Sequence, residues 1–377
     1  MRYAGGVRGT RRGWNGVLWA GEKKTGRRAQ YLCLVWCFIL ALCLGPAIPA
    51  LGRQETAVQE ETVQEKAAVQ AKGNVKTITI TALGDVTIGG DPRRNASQTS
   101  SQKFYEKLSA QYSGNFFKNV RQYFTGSAEL TLANLESSFT TATRYKNKSY
   151  IFRAKPSYAR ILSSAGIDVV SHANNHAQDF NGGIRSTRAA VRARGMAYVG
   201  NGVTAIVKKN GIKVGFCAFY DTGNITAQAQ NVVKRLKEKC HLVVVSMHWG
   251  QEYRYAASSS QRSLGRALIR AGADLVVGHH SHVVGGIEKY QGKYIVYSLG
   301  TFSSMILTPK DMDTMIFRQT FSVNTKTKEV RGSEPGVLPC SMSSRASVND
   351  GRPTPLTGQD KERVIKKINR LSLNFSL

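Results

Sequence analysis

Three histidines, His279, His280 and His282, fall within four positions of the stretch DLVVGHHSHVVGG at 274–286, where an apolar run ends. Imidazole is the commonest metal-ligating side chain near neutral pH. Along an extended backbone alternate side chains share a face, so His280 and His282 would aim two nitrogens at one site while His279 pointed the other way. A polar loop that happens to hold several histidines has the same composition, and the motif alone leaves both readings open.

Other apolar runs end in similar chemistry. ITALGD closes on Asp85, LTLANLE on Asn134 and Glu136, DVVSHANNH on Asn174, Asn175 and His176, and VVVSMH on His248. Each has an ordinary explanation by itself: Asp85 could cap a helix, Glu136 could be solvated, and Asn174 and Asn175 could shape a turn. Together these motifs hold six of the seven histidines, all but His241, and in α/β folds ligands collect beyond the carboxyl ends of strands. A mixed set of Asp, Glu, Asn and His donors suits Mn, Fe or Zn better than Ca or a thiolate-bound metal. One or two such divalent ions could clamp a phosphoryl group and activate a water. The chain has neither a Gly-rich phosphate loop nor a G-x-S-x-G elbow, so nucleotide kinase and serine hydrolase chemistry lose support. Near HWGQE, Glu252 could orient a ligating histidine, Tyr253, Arg254 and Tyr255 could wall a pocket, and Trp249 could stack on a substrate or fill the core.

Such groups need strands that all stop at one edge. VKTITITALGD alternates Ile78 and Ile80 with Thr, as a half-buried strand does. Short apolar runs then recur (ELTLANLE, GIDVVSHANNH, KVGFCAFY, HLVVVSMHWG, DLVVGHH, KYIVYSLG), with helical segments such as SYARILSSAG and RSLGRALIRAG, each stopped by Gly, between most of them. That rhythm predicts an α/β body. It spans 75–332 and gives way to a Ser-, Pro- and Gly-rich tail at 333–377, read as loop until a final helix in which Val364, Ile365, Ile368 and Leu371 recur at helical spacing. Of six cysteines, Cys33, Cys37 and Cys43 lie near the N-terminus; Cys217, Cys240 and Cys340 are an odd, scattered trio and no disulfide framework, with Cys217 and Cys240 simplest as core residues.

The N-terminal region is of another kind. Residues 1–30 carry eight Lys or Arg against one Glu, and an uncharged apolar run follows within 31–52. That order marks a secretory signal or an uncleaved membrane anchor, with the basic end kept in the cytoplasm and the body outside; cleavage would release a secreted form. Residues 53–74, rich in Gln, Glu and Ala, read as a polar stalk. The whole chain holds 53 Lys and Arg against 24 Asp and Glu, a formal charge of +29. A charge of that size attracts anionic polymers or membrane surfaces, and equally keeps a protein soluble. A nucleic-acid enzyme fits the charge but not the secretory leader, so no nucleic acid is expected as a partner.

In this order GDVTIGGD, NLE, NNHAQDFNGG, HWGQEY, GHHSH and YSLGTF, over 78–302, resemble the motifs of the bacterial CapA-like capsule-synthesis family of poly-gamma-glutamate biosynthesis, itself similar to calcineurin-like metallophosphoesterases. The resemblance implies a four-layer sandwich of mixed β-sheets flanked by helices. It also implies metal ligation by Asp85, Glu136 as the bridging carboxylate, Asn175, His248, His280 and His282. His176 would protonate the leaving oxygen. The phosphoesterases keep a His where this chain has Thr87 and an Asp where it has Glu136; the family Pro between the paired histidines is Ser281 here, and its YSLGNF is YSLGTF, with Thr301. The implied partners are an anionic polymer such as poly-gamma-glutamate, the cytoplasmic membrane, and capsule-synthesis membrane proteins. A metal-dependent hydrolase of a cell-envelope substrate and a non-catalytic polyanion-binding assembly factor are the two functional expectations.

Overall fold

The computed structural model describes residues 74–93, 115–304 and 311–377. The expected leader, apolar run and nearly all of the stalk, with Cys33, Cys37 and Cys43, lie outside these residues. Among the described residues no helix is long and apolar enough to cross a membrane.

The chain forms β1 (Val75–Thr87), β2 (Glu129–Leu135), β3 (Ser138–Phe139), β4 (Arg153–Ala154), α1 (Ala159–Ala165), β5 (Val169–Ser171), α2 (Gly183–Arg192), β6 (Ala197–Val199), β7 (Ala205–Lys209) and β8 (Ile212–Tyr220). There follow α3 (Thr226–Lys239), β9 (Leu242–His248), α4 (Ser259–Arg270), β10 (Leu275–His279), β11 (Ile287–Tyr290), β12 (Lys293–Val296) and β13 (Thr301–Ser304). β14 (Asp313–Asn324), β15 (Val330–Gly332), β16 (Gly336–Ser341), β17 (Thr354–Pro355) and α5 (Gly358–Leu371) complete it. Among the described residues one sheet runs β17-β16-β14-β1-β2-β5-β6, with β13 beside β1 and β15 beside β14, and a second runs β11-β12-β10-β9-β8-β7. Both are mixed: β1-β2-β5-β6 and β8-β9-β10-β12 are parallel, while β14 and β16 in one sheet, and β7 and β11 in the other, pair antiparallel.

Side-chain alternation sets the layers. Ile78, Ile80, Leu130 and Leu132 of one sheet and Val214, Phe216, Leu242, Val244, Leu275 and Val277 of the other bury together in a shared core. The opposite-facing Val243, Val245 and Val276 pack with Val233, Leu236, Leu264 and Leu268 of α3 and α4. On the first sheet's other face Ala133, Leu135 and Val170 pack with Ile161, Leu162 and Val191 of α1 and α2. The result is helices, sheet, sheet and helices, the four-layer α/β order expected above; burying both faces of the central strands explains their near-continuous apolar sequences.

Local signals fit the helix ends. α4 opens with a capping box, Ser258 accepting from the Gln261 N–H while Gln261 bonds back to the Ser258 N–H. α1 is stopped by Gly166 at φ 94°. The stretch after 333, loop by composition, instead adds β16 to the first sheet, Gly336–Ser341 pairing with Asp313–Arg318 of β14; the ladder uses backbone groups, so Ser and Gly do not prevent it. In α5 Val364 and Ile368 join the core between the sheets. Cys217, Cys240 and Cys340 are buried free thiols, and burial pushes the Cys340 thiol up to about 12.

Candidate metal centre

Register lines up the strand ends. Asp85 of β1 lies beside Asn134 of β2, and Asn134 beside Ser171 of β5. In the second sheet Tyr220, His248 and His279 stand side by side on β8, β9 and β10. The Ser246 and Ser171 hydroxyls meet at 3.0 Å and tie the two sheets together. Two rows of polar residues therefore end on one side of the molecule. β1 bulges at Asp85, and Gly84 before it passes so close to β13's entry that an added Cβ would lie 2.1 Å from the Gly300 carbonyl oxygen. Only glycine lets the strand bring Asp85 that near.

Asp85 is fully buried and well held. One oxygen accepts from Asn134 Nδ2 at 2.8 Å, the other from the His280 N–H at 3.1 Å. His279 Nδ1 and His282 Nδ1 lie 3.3 and 3.4 Å from its oxygens. Burial opposes its ionisation, but these imidazoles hold its carboxyl well below the usual range. Glu136 is the opposite case. Both of its oxygens are buried without a hydrogen bond, and burial pushes its pKa well above the usual range despite His282 nearby. Its oxygens face His248 Nε2 at 3.5 Å and His282 Nδ1 at 3.8 Å. Burial works against a proton on His282, yet Glu136 and Asp85 beside it raise its pKa to about 9. His248 donates from Nε2 to the Asn175 side-chain oxygen at 2.8 Å; burial holds its pKa well below normal, favouring the neutral form.

The three clustered histidines do not sit as an extended strand would place them. β10 stops at His279, and His280 and His282 adopt φ 92° and φ 58°, both left-handed. That turn, in place of strand alternation, brings them to one site, with the His280 ring centroid 4.5 Å from His248 and 6.1 Å from His282. His279 does not point away: it is fully buried against Asp85. The expectation fails because period-two alternation ends where φ turns positive.

His176 lies in the turn after β5. Its Nδ1 is 2.6 Å from Asp179 Oδ2, and Lys148 Nζ bonds the other Asp179 oxygen at 2.7 Å and the Asn175 carbonyl at 2.8 Å. Phe152 packs on its ring at a centroid distance of 4.3 Å. Burial lowers its pKa, with Asp179 opposing. Asn174 shapes the turn, its side chain donating to Asn134 and Leu135 and accepting from the His176 N–H. Of the aromatic candidates, Trp249 is core: it is fully buried, with Nε1 donating to the Tyr297 carbonyl at 2.9 Å. Tyr253 is exposed, 6.2 Å from the His282 ring, and Tyr255 donates to Asp311.

Asp85, Glu136, Asn175, His248, His280 and His282 thus converge, with His176 alongside. Two of the three groups of possible donors among the described residues are buried or nearly so, Asp85, Glu136 and His282, and Glu136, His248 and His280, each with ligand atoms within 4.8 Å of one another. Glu136 belongs to both. A buried carboxylate without a hydrogen bond is costly, and a cation between these groups would satisfy it, as it would His280 Nδ1, which also lacks one. The donor set therefore fits a divalent transition metal. Sequence reasoning missed Asp179, legible three positions after His176, and Lys148, which no local spacing connects to the site.

A family model described as bacterial capsule synthesis protein PGA_cap matches residues 79–305, more than half of the 377. The chain belongs to the PGA_cap family. The PGA biosynthesis protein CapA of Bacillus subtilis is 30% identical to it over 227 residues, covering 53% of this chain and 60% of that protein. The capsule biosynthesis protein CapA of Bacillus anthracis is 27% identical over 340 residues, covering 81% and 75%. A solved phosphatase structure from Mycoplasma pneumoniae is a looser likeness, 15% identical, covering 70% of this chain and 94% of that one, with a TM-score of 0.40. The PGA_cap match starts on β1 before Asp85 and runs past His282, so every donor named above lies inside it.

Proposed function

We propose that this protein is a metal-dependent phosphoester hydrolase or transferase of capsule or poly-gamma-glutamate assembly, tethered by its N-terminal segment with the body outside the cytoplasmic membrane. The observation that carries the reading is Glu136, buried with neither oxygen hydrogen-bonded and shared by two donor groups. Asp85, Glu136 and His282 would hold one ion, and Glu136, Asn175, His248 and His280 a second. Bound there, such ions would supply Lewis acidity toward a phosphoryl oxygen and lower the pKa of a bound water. The chain's own residues supply the rest. Asp179 fixes the His176 ring through Nδ1 and leaves Nε2 to hold the proton for a leaving oxygen. Lys148 anchors Asp179 and the Asn175 backbone, so one cation orients both residues. Phe152 covers the His176 ring and limits water around it.

The excess of positive charge supports a second reading, a polyanion-binding assembly factor that uses the same site without turnover. Metal content of the purified full chain, with phosphoester turnover, separates the two. His280→Ala with His282→Ala should lose metal while the fold persists; full occupancy in that double variant would sink the site. Loss of turnover with metal retained in His176→Ala supports the enzyme, whereas a metal-loaded parent that turns over no phosphoester leaves the binding reading. Reporter fusions at the C-terminus test the topology: activity confined to the cytoplasm contradicts an outward body.

A further inference from the structure

Glu252 sits on the loop between β9 and α4, exposed to solvent, yet its carboxylate comes within 4.8 Å of nitrogens on both His280 and His282. These histidines belong to different donor groups, His282 with Asp85 and Glu136, His280 with Glu136 and His248. Glu136 links the two groups from the buried side; Glu252 links them from the solvent side. Among the described residues no hydrogen bond or ion pair ties down the Glu252 carboxylate, so its placement comes from the loop.

That loop is anchored where it leaves β9 and held in a strained turn beyond. Trp249 is locked in the core by its bond to Tyr297. Gly250 takes φ 85°, packed so closely that an added Cβ would lie 2.6 Å from Gln261 Nε2. Tyr253 adopts φ 60°, rare for a tyrosine, and its N–H donates at 2.8 Å to the carbonyl of Ser281, the residue between the two histidines. Backbone strain of this kind persists only where the surroundings impose it, and it gathers at functional sites.

We propose that Glu252 is a further ligand of this centre, a displaceable carboxylate that closes its solvent side where an oxyanion substrate must enter. The inference rests on the two-group metal reading above. Glu252 then competes with anions: free phosphate binds poorly, and a substrate displaces the carboxylate only by adding contacts of its own. The exposed rings of Tyr220, 5.7 Å from His248, and Tyr253 offer such contacts.

The test uses the full chain loaded with Co²⁺, with inorganic phosphate as the probe. It reads metal content, the visible Co²⁺ absorption and the phosphate dissociation constant. Glu252→Gln is expected to keep the parent metal content, change the Co²⁺ absorption, and bind phosphate about tenfold more tightly because the blocked population is removed. Gln251→Ala, next in the same loop, should leave all three readings at parent values. Unchanged absorption and phosphate affinity in Glu252→Gln, with metal bound, overturn the role of Glu252 and leave the metal centre standing. Metal loss in that variant makes Glu252 a fixed ligand and overturns displaceability. A parent that binds no cobalt overturns both readings together.

Discussion

Two buried histidines show how burial and partners divide roles. His279 has its Nδ1 3.3 Å from Asp85, which makes it a positioning group for that carboxylate on the proposed ligand assignment. His279→Ala should therefore weaken Zn²⁺ retention against a chelator by about tenfold or more; an unchanged titration curve would show that Asp85 needs no second imidazole. His172 stands apart from the donor set, with Nε2 donating to the Ser137 carbonyl and Nδ1 facing the Tyr198 hydroxyl, each at 3.1 Å. Burial lowers its pKa to about 4. The unfolded chain then takes up the proton more readily than the folded one. The stability tied to neutral His172 is full above about pH 6.5 and is lost as pH falls toward its folded value, by roughly 3 kcal/mol. Urea midpoints of the metal-free protein should fall less between about pH 7 and about pH 4.5 in His172→Gln than in the parent. Equal falls would place the acid sensitivity elsewhere.

At the scale of elements, α5 spans strands from both sheets. Its Val364 and Ile368 are fully buried in the core the sheets share, and Ser372 just beyond it accepts at Oγ from the Ile287 N–H of β11 at 2.9 Å. The helix is strongly polar on its other face, so its stability comes from this burial more than from its own turns. Ile368→Ala removes buried methyl and methylene groups where the sheets cannot collapse onto the gap, and should cost about 3 kcal/mol in urea unfolding. A loss under about 1 kcal/mol would mean that the edge repacks.

For the whole molecule, the governing quantity is charge. With a formal +29, binding to poly-gamma-glutamate should rest on attraction that counter-ions screen, the Debye length shrinking from about 10 Å at 0.1 M salt to about 3 Å at 1 M. Affinity should drop steeply across that range. A dissociation constant that holds steady would assign recognition to the donor site and not to the field around it. Salt should leave metal retention nearly unchanged, because Asp85, Glu136, His248 and His282 are buried and screened little.

Composition and periodicity alone determine the α/β class: Ile78 and Ile80 alternate along β1, and the runs Leu242–Val245 and Leu275–Val277 are apolar without alternation because their strands are covered on both faces. The polar residues at run ends were equally legible, since side chains beyond a strand's carboxyl end are free of the core's demand for apolar groups. Tertiary structure decided the rest. His280 and His282 share a site through two positive-φ turns that no i, i+2 rule contains, and His279 turns inward because Asp85, 194 positions earlier, lies buried beside it. Lys148 meets Asp179 only once the segments are folded against each other. Gly336–Ser341 becomes a strand because β14 offers it a ladder. Local sequence encodes period and burial; which carboxylate is left dry and which imidazole faces it depends on contacts between distant segments that only the packed sheets create.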